Sequence, residues 1–143
     1  MSAVASHASD EGGACQGLQV SIIKASGLRK LNWTGDAPWC RCDVKRSDKR
    51  AKPSSCRTAM HNGTLEPEWN ETHNISWCAG EALEFTVYNK GIMTSKVAGR
   101  IEVPSEKFYP NGFEGELPIP GLHNGTLTVS IFPMTDLSVT LEH

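Results

Sequence analysis

Two cysteines, Cys40 and Cys42, stand two residues apart, and His61 and His73 follow. On a strand that spacing turns both thiols to one face, where a thiolate metal site or a Cys-His nucleophile would be assembled. The pair is too close for structural zinc, which keeps about two to four residues between paired cysteines, and no second half of such a motif is present. Two buried thiols acting as small apolar groups are the simpler expectation. The chain also lacks a Gly-rich phosphate loop, a His-Glu-x-x-His run and a Gly-x-Ser-x-Gly elbow. Without these local signatures it reads as a binding protein, not an enzyme, with no cofactor expected.

A second feature is electrostatic. Between positions 45 and 57 lie Lys45, Arg46, Lys49, Arg50, Lys52 and Arg57 against Asp48 alone, a local charge of +5 in a chain whose net charge is −2. A basic patch on an otherwise acidic chain attracts anionic phospholipid or an acidic protein surface, although the same composition also suits a loop that is merely solvated. Nucleic acid is a poor fit, because the total charge is negative and no base-stacking platform is evident.

The five cysteines, Cys15, Cys40, Cys42, Cys56 and Cys78, are odd in number and show no framework spacing. Free thiols in a reducing compartment are therefore expected. No apolar run approaches the roughly 20 residues of a membrane span, and positions 1–17 are polar without a signal-peptide core. A cytoplasmic protein, peripheral at membranes, is the expectation. Five Asn-x-Ser/Thr matches, at Asn32, Asn62, Asn70, Asn74 and Asn124, would matter only in the secretory pathway.

The elements that position these residues are strands. Thirteen Gly and eight Pro are scattered throughout, and no long window repeats apolar residues at three and four. Leu18, Val20 and Ile22 alternate with polar neighbours, as do Leu127, Val129 and Ile131. Further strands are expected over 39–45, 56–60, 69–77, 83–88, 97–103 and 113–117, which makes eight. Asn-Gly turns at 62–63, 111–112 and 124–125 separate several of them, and this pattern predicts an antiparallel sandwich. Positions 1–16 read as a flexible leader, 17–134 as one domain, and 135–143 as a tail whose Leu141-Glu142-His143 has the look of a tag remnant.

Three segments carry a resemblance. LQVSIIKASGL (18–28), APWCRCDV (37–44) and TLEPEWNE (64–71) occur in order, with LEFTVYNK (83–90) and Gly99 after them. Together they resemble the C2 domain over about Leu18 to Leu117. The resemblance implies an all-β, eight-stranded, Greek-key sandwich. Since the Leu-x-Val-x-Ile strand comes first and an extra strand closes the chain, it implies type II topology.

Calcium-binding members of that family place about five aspartates on the first and third apical loops. Carried onto this chain, those positions fall on Asn32 and Ala37, with Asp36 adjacent, and on Asn89, Gly91 and Ser95 or Lys96. Calcium wants six to eight oxygens and several ionised carboxylates, so these loops imply a domain degenerate for calcium. The same resemblance sets Trp33 in the first loop and Ile92 and Met93 in the third, at one end of the sandwich, where they suit an interface half apolar and half wet. The expectation is a calcium-independent targeting or scaffolding module that meets anionic membranes through the basic segment and the loop tips. The alternative is a protein-interaction domain of the same fold.

Overall fold

The computed structural model describes residues 14–32 and 35–134. Eight strands are present: β1 (Cys15–Ser26), β2 (Ala37–Lys45), β3 (Ser55–Arg57), β4 (Glu68–Cys78), β5 (Ala82–Lys90), β6 (Ser95–Val103), β7 (Phe113–Pro118) and β8 (Thr126–Met134). One short 3-10 turn, Ser105–Lys107, interrupts them. Positions 1–13 of the expected leader, the C-terminal tail and Trp33 lie outside the described residues, but the leader is shorter than expected, because Cys15 and Gln16 already pair with β4 as the start of β1.

The strands form two four-stranded sheets, in the orders β4-β1-β8-β7 and β3-β2-β5-β6. Every pairing is antiparallel. β8 slots between β1 and β7, so the last strand lies beside the first. This is the type II arrangement that the order of motifs implied.

Alternation explains the two layers. Leu18, Val20 and Ile22 of β1, Cys40 and Cys42 of β2, Leu83, Phe85 and Val87 of β5, and Leu127, Val129 and Ile131 of β8 are all fully buried. Their period of two turns them to a shared inner face, and apolar area removed from water at about 25 cal/mol per Å² holds the sheets together. Trp77 closes one end of the core against Phe108 and Tyr109. Trp69 reaches across to the second sheet, where its indole N–H donates to the Pro38 carbonyl at 3.3 Å.

A bulge between Ile22 and Lys24 shifts the register of β1, so that Ala25, not Lys24, points inward before the first loop. Gly27 follows with φ 72°, and a side chain there would drive into the Asn124 backbone. β3 is shorter than the periodicity suggested. Beyond Arg57 two backbone bonds still reach β2, from the Thr58 amide to the Cys40 carbonyl and from the His61 amide to the Pro38 carbonyl.

Antiparallel pairing also fixes which loops share an end. Segments 27–32, 35–36, 58–67, 91–94 and 119–125 gather at one apex, because Ser26 pairs with Thr126, Ala37 with Lys90 and Lys24 with Glu68. The connection 46–54 is at the other end.

Candidate functional site

At the apex the β5–β6 loop presents Ile92 and Met93, 73% and 85% exposed. Met60, 51% exposed on the β3–β4 connection, is a third apolar tip that sequence reasoning missed. The charged residues Arg29 and Lys30 stand exposed on the neighbouring first loop. Glu66 ties that loop down, accepting from the Ser26 hydroxyl at 2.7 Å and the Gly27 amide at 3.0 Å. Those two bonds hold its carboxyl below the ordinary glutamate range.

The positions that the family resemblance assigns to calcium are here knitted to one another. Asp36 is buried, and its Oδ1 accepts from the backbone amides of Leu31 and Asn32 and from Asn32 Nδ2, at 3.3, 3.0 and 3.0 Å. Asn32 Nδ2 also donates to the Asn89 carbonyl at 3.3 Å, joining the first loop to the end of β5. Gly91 leaves room for it, since a Cβ there would press on the Asn32 side chain. Lys96 donates from Nζ to the Leu31 carbonyl at 3.0 Å, a second strut between the same loops. Ser95 accepts from the Trp39 indole at 3.2 Å, and Ala37 is a buried start to β2. Asn89 is fully buried with both side-chain polar atoms unpartnered among the described residues. Among these positions Asp36 is the one carboxylate, and it is already engaged by three donors, whereas calcium draws on several ionised carboxylates.

The outer face of the second sheet carries a candidate site the sequence hid. Arg57 lies opposite Arg41, Arg41 opposite Thr86, and Thr86 opposite Arg100, so three guanidinium groups share one row across four strands. The next row toward the apex holds Trp39 stacked on Tyr88, centroids 4.3 Å apart, with the Arg57 guanidinium 5.5 Å from the Trp39 ring. A cleft of about 370 Å³ opens there, lined by Trp39, Arg57, Thr58, Met60, Lys90 and Ser95. The row on the far side is acidic, with Asp43, Glu84 and Glu102 in register. Asp43 holds Arg41 at 2.9 Å, in a pair whose arginine is exposed and whose aspartate is half-buried.

The basic segment divides. Lys49, Arg50 and Lys52 are exposed on the connection between β2 and β3, at the end of the sandwich away from Ile92 and Met93. A nine-residue β2 separates the two ends by about 27 Å at roughly 3.4 Å per residue. Lys45 sits at the end of β2, 3.8 Å from Glu102 in an exposed pair. Arg57 alone of the six lies near the cleft.

Arg46 corrects the sequence reading, because its side chain is only 14% exposed and is spent internally. It pairs with the buried Glu81 at 2.9 Å and donates to the Lys52 and Ser76 carbonyls. Glu81 in turn accepts from the amides of Ser47 and Cys78. Arg46 therefore anchors the basic loop and does not present itself to a partner.

The expectation of five free thiols is corrected as well. Cys15 and Cys78 form a disulfide, joining the first residue of β1 to the last of β4. Strand pairing sets them opposite one another although they are 63 residues apart, a proximity no local spacing reveals. Cys40, Cys42 and Cys56 are free, the first two fully buried as small apolar groups. Burial pushes the Cys40 thiol well above its usual range.

Comparison with known proteins agrees with this architecture. A family model for the C2 domain matches residues 16–119. The first C2 domain (domain A) of plant Extended Synaptotagmin 1 superposes with a TM-score of 0.65 at 25% identity, covering 84% of this chain and 96% of that one. The calcium-bound pair of C2 domains, A and B, of Extended-Synaptotagmin 2 gives a TM-score of 0.71 at 16% identity, over 89% of this chain and 51% of that one, a likeness of fold alone. Human cytosolic phospholipase A2 zeta is 32% identical over 80 residues, which are 54% of this chain but 9% of that protein. The chain thus spans about a tenth of the curated relative it matches, in a stretch that leaves catalysis unsupported here. From β1 to the end of β7, motif by motif and strand by strand, the chain belongs to the C2 domain family.

Proposed function

We propose that this domain docks on anionic phospholipid surfaces without calcium, peripheral to cytoplasmic membranes, using the apolar apex together with the outer face of the second sheet. The observation that carries the reading is the arginine row Arg57, Arg41 and Arg100 beside the cleft that Trp39 and Met60 line, with Ile92 and Met93 exposed on the neighbouring β5–β6 loop. Cations over anionic headgroups and apolar tips in the acyl boundary are complementary halves of an interfacial site. Lys49, Arg50 and Lys52 join it only when the long axis tilts toward the membrane plane. Among the described residues no helix is long and apolar enough to cross a bilayer. One similar protein carries the word cytosolic in its name.

Calcium independence rests on the internal struts. Loops that calcium would otherwise draw together are already joined by Asn32 and Lys96. Sedimentation with vesicles of phosphatidylcholine alone, and with added phosphatidylserine, tests both claims. Binding should require phosphatidylserine and be unchanged between calcium and a chelator. A calcium requirement would overturn the independence. Indifference to every vesicle composition would remove the lipid reading and leave an acidic protein surface as the partner.

The tips give a second prediction. Replacing Ile92 and Met93 together by Ala should weaken binding to phosphatidylserine vesicles at least tenfold, since burying one such side chain is worth about 1.5–3 kcal/mol. Thermal stability should stay the same, because both side chains already face solvent. Unaltered affinity would show that the tips stay in water.

A further inference from the structure

The three free cysteines are not equivalent, and one pair of them is placed for chemistry that membrane docking does not use. The geometry points to Cys42 and Cys56 as a cross-strand dithiol that closes to a disulfide when a peroxide oxidises it.

Cys42 of β2 pairs directly with Cys56 of β3. Backbone bonds from Val44 to Ser54 and from Thr58 to Cys40 lie two residues to either side. Ladder bonds of an antiparallel pair alternate, so Cys42 and Cys56 are a hydrogen-bonded pair, whose Cα atoms stand about 5.5 Å apart. That spacing falls within the roughly 4.4–6.8 Å a disulfide accepts, and directly opposed residues project to the same side of the sheet. β3 is a three-residue edge strand with a single neighbour in its sheet, so the adjustment needed to bring the sulfurs together meets little resistance.

The two thiols differ in the way an attacking and a resolving cysteine must. Cys56 is partly exposed at the sheet edge, while Cys42 is fully buried behind it. A hydrogen bond from Cys42 lowers the Cys56 thiol below its ordinary range, against the opposing pull of burial and of Asp43 and Glu71. Cys42 moves the other way, raised by the same bond and then by burial. Thiolate character and access both select Cys56 for attack.

The reaction balances with the peroxide as oxidant. The Cys56 thiolate attacks one peroxide oxygen, the O–O bond breaks, and Cys56 sulfenic acid and hydroxide form. Cys42 sulfur then displaces the hydroxyl of the sulfenic acid, giving the S–S bond and water after the Cys42 proton is transferred. Two thiols are oxidised by two electrons, and one peroxide is reduced to two waters. Cys40 is excluded as the resolving thiol because it faces Thr58, whose hydroxyl accepts from the Cys40 amide at 3.0 Å. The product would clamp the edge strand at the foot of the loop that bears Lys49, Arg50 and Lys52, next to Arg57.

The test uses the full chain with Cys15–Cys78 intact. After brief exposure to hydrogen peroxide, remaining thiols are capped with iodoacetamide and the unreduced protein is digested with trypsin. Arg41 lies between Cys40 and Cys42, so the two report on separate peptides. The expected product links 42–45 to 51–57 with the loss of two hydrogens, and reduction releases both. Cys40→Ser should leave that product unchanged. Cys42→Ser should abolish it and drive Cys56 on to sulfinic acid. A link from Cys56 to 31–41, or capped Cys42 beside over-oxidised Cys56 in the unsubstituted protein, would overturn the proposal. The map of the unsubstituted protein decides the matter even if a variant fails to fold.

Discussion

Replacing Glu81 by Ala is expected to destabilise the domain by about 3–5 kcal/mol, the cost of removing one partner from a buried ion pair. The reason is what the carboxylate leaves behind. Arg46 keeps its charge with 14% of its side chain exposed, and the amides of Cys78 and Ser47 lose their acceptor. Few positions on a surface-charged sandwich concentrate so many unsatisfied groups in one deletion. Arg46→Ala should cost a similar amount. Arg46→Lys should recover only part of it, because an ammonium cannot reproduce a fork that reaches Glu81, Ser76 and Lys52 at once. Urea unfolding with the Cys15–Cys78 disulfide intact measures all three. A loss below about 1 kcal/mol for Glu81→Ala would place the pair among ordinary exposed ion pairs.

The largest functional effect is expected from the sheet face and not from the basic loop. Replacing Arg41, Arg57 and Arg100 together by Ala should lower affinity for phosphatidylserine vesicles roughly 100-fold, at about 1 kcal/mol for each cation near an anionic surface. The matched triple change at Lys49, Arg50 and Lys52 should cost less, since those side chains stand at the far end from the apolar tips. Both losses should shrink as salt rises, because exposed charges are screened over about 8 Å at physiological ionic strength. If the loop variant loses more than the sheet variant, the domain lies with its 46–54 end against the membrane and the site must be redrawn. The sheet variant should stay close to the parent in stability, because the repulsion relieved between Arg41 and Arg57 offsets the surface Arg41–Asp43 pair and the Arg57–Trp39 contact that it removes.

These expectations reverse an emphasis that the linear chain suggested. Six cations in thirteen positions are conspicuous when read along the sequence. Arg41 and Arg100 stand 59 positions apart, each a single polar residue in an alternating strand, and nothing local joins them. Their signal was present only as the outward half of a period-two pattern, in Trp39-x-Arg41-x-Asp43 and in Arg100-x-Glu102. Knowing the register of β2 with β5 and of β5 with β6 is what turns those separate residues into one row. Arg46 shows the converse, a residue that composition assigns to a patch and packing assigns to the interior.

By itself the sequence determined the class, the strands and the family, because period-two burial, turn residues and short motifs are local properties that a chain displays without folding. All eight strands fall where alternation and turns located them, with β3 the one materially shortened. Tertiary structure alone decided which charges are free, which thiols are partners and which end of the molecule each loop occupies. Cys15 with Cys78, Cys42 with Cys56, Arg46 with Glu81 and Arg41 with Arg100 are relations across paired or packed strands. Such relations depend on register and burial, and those exist only once the two sheets have closed on a common core.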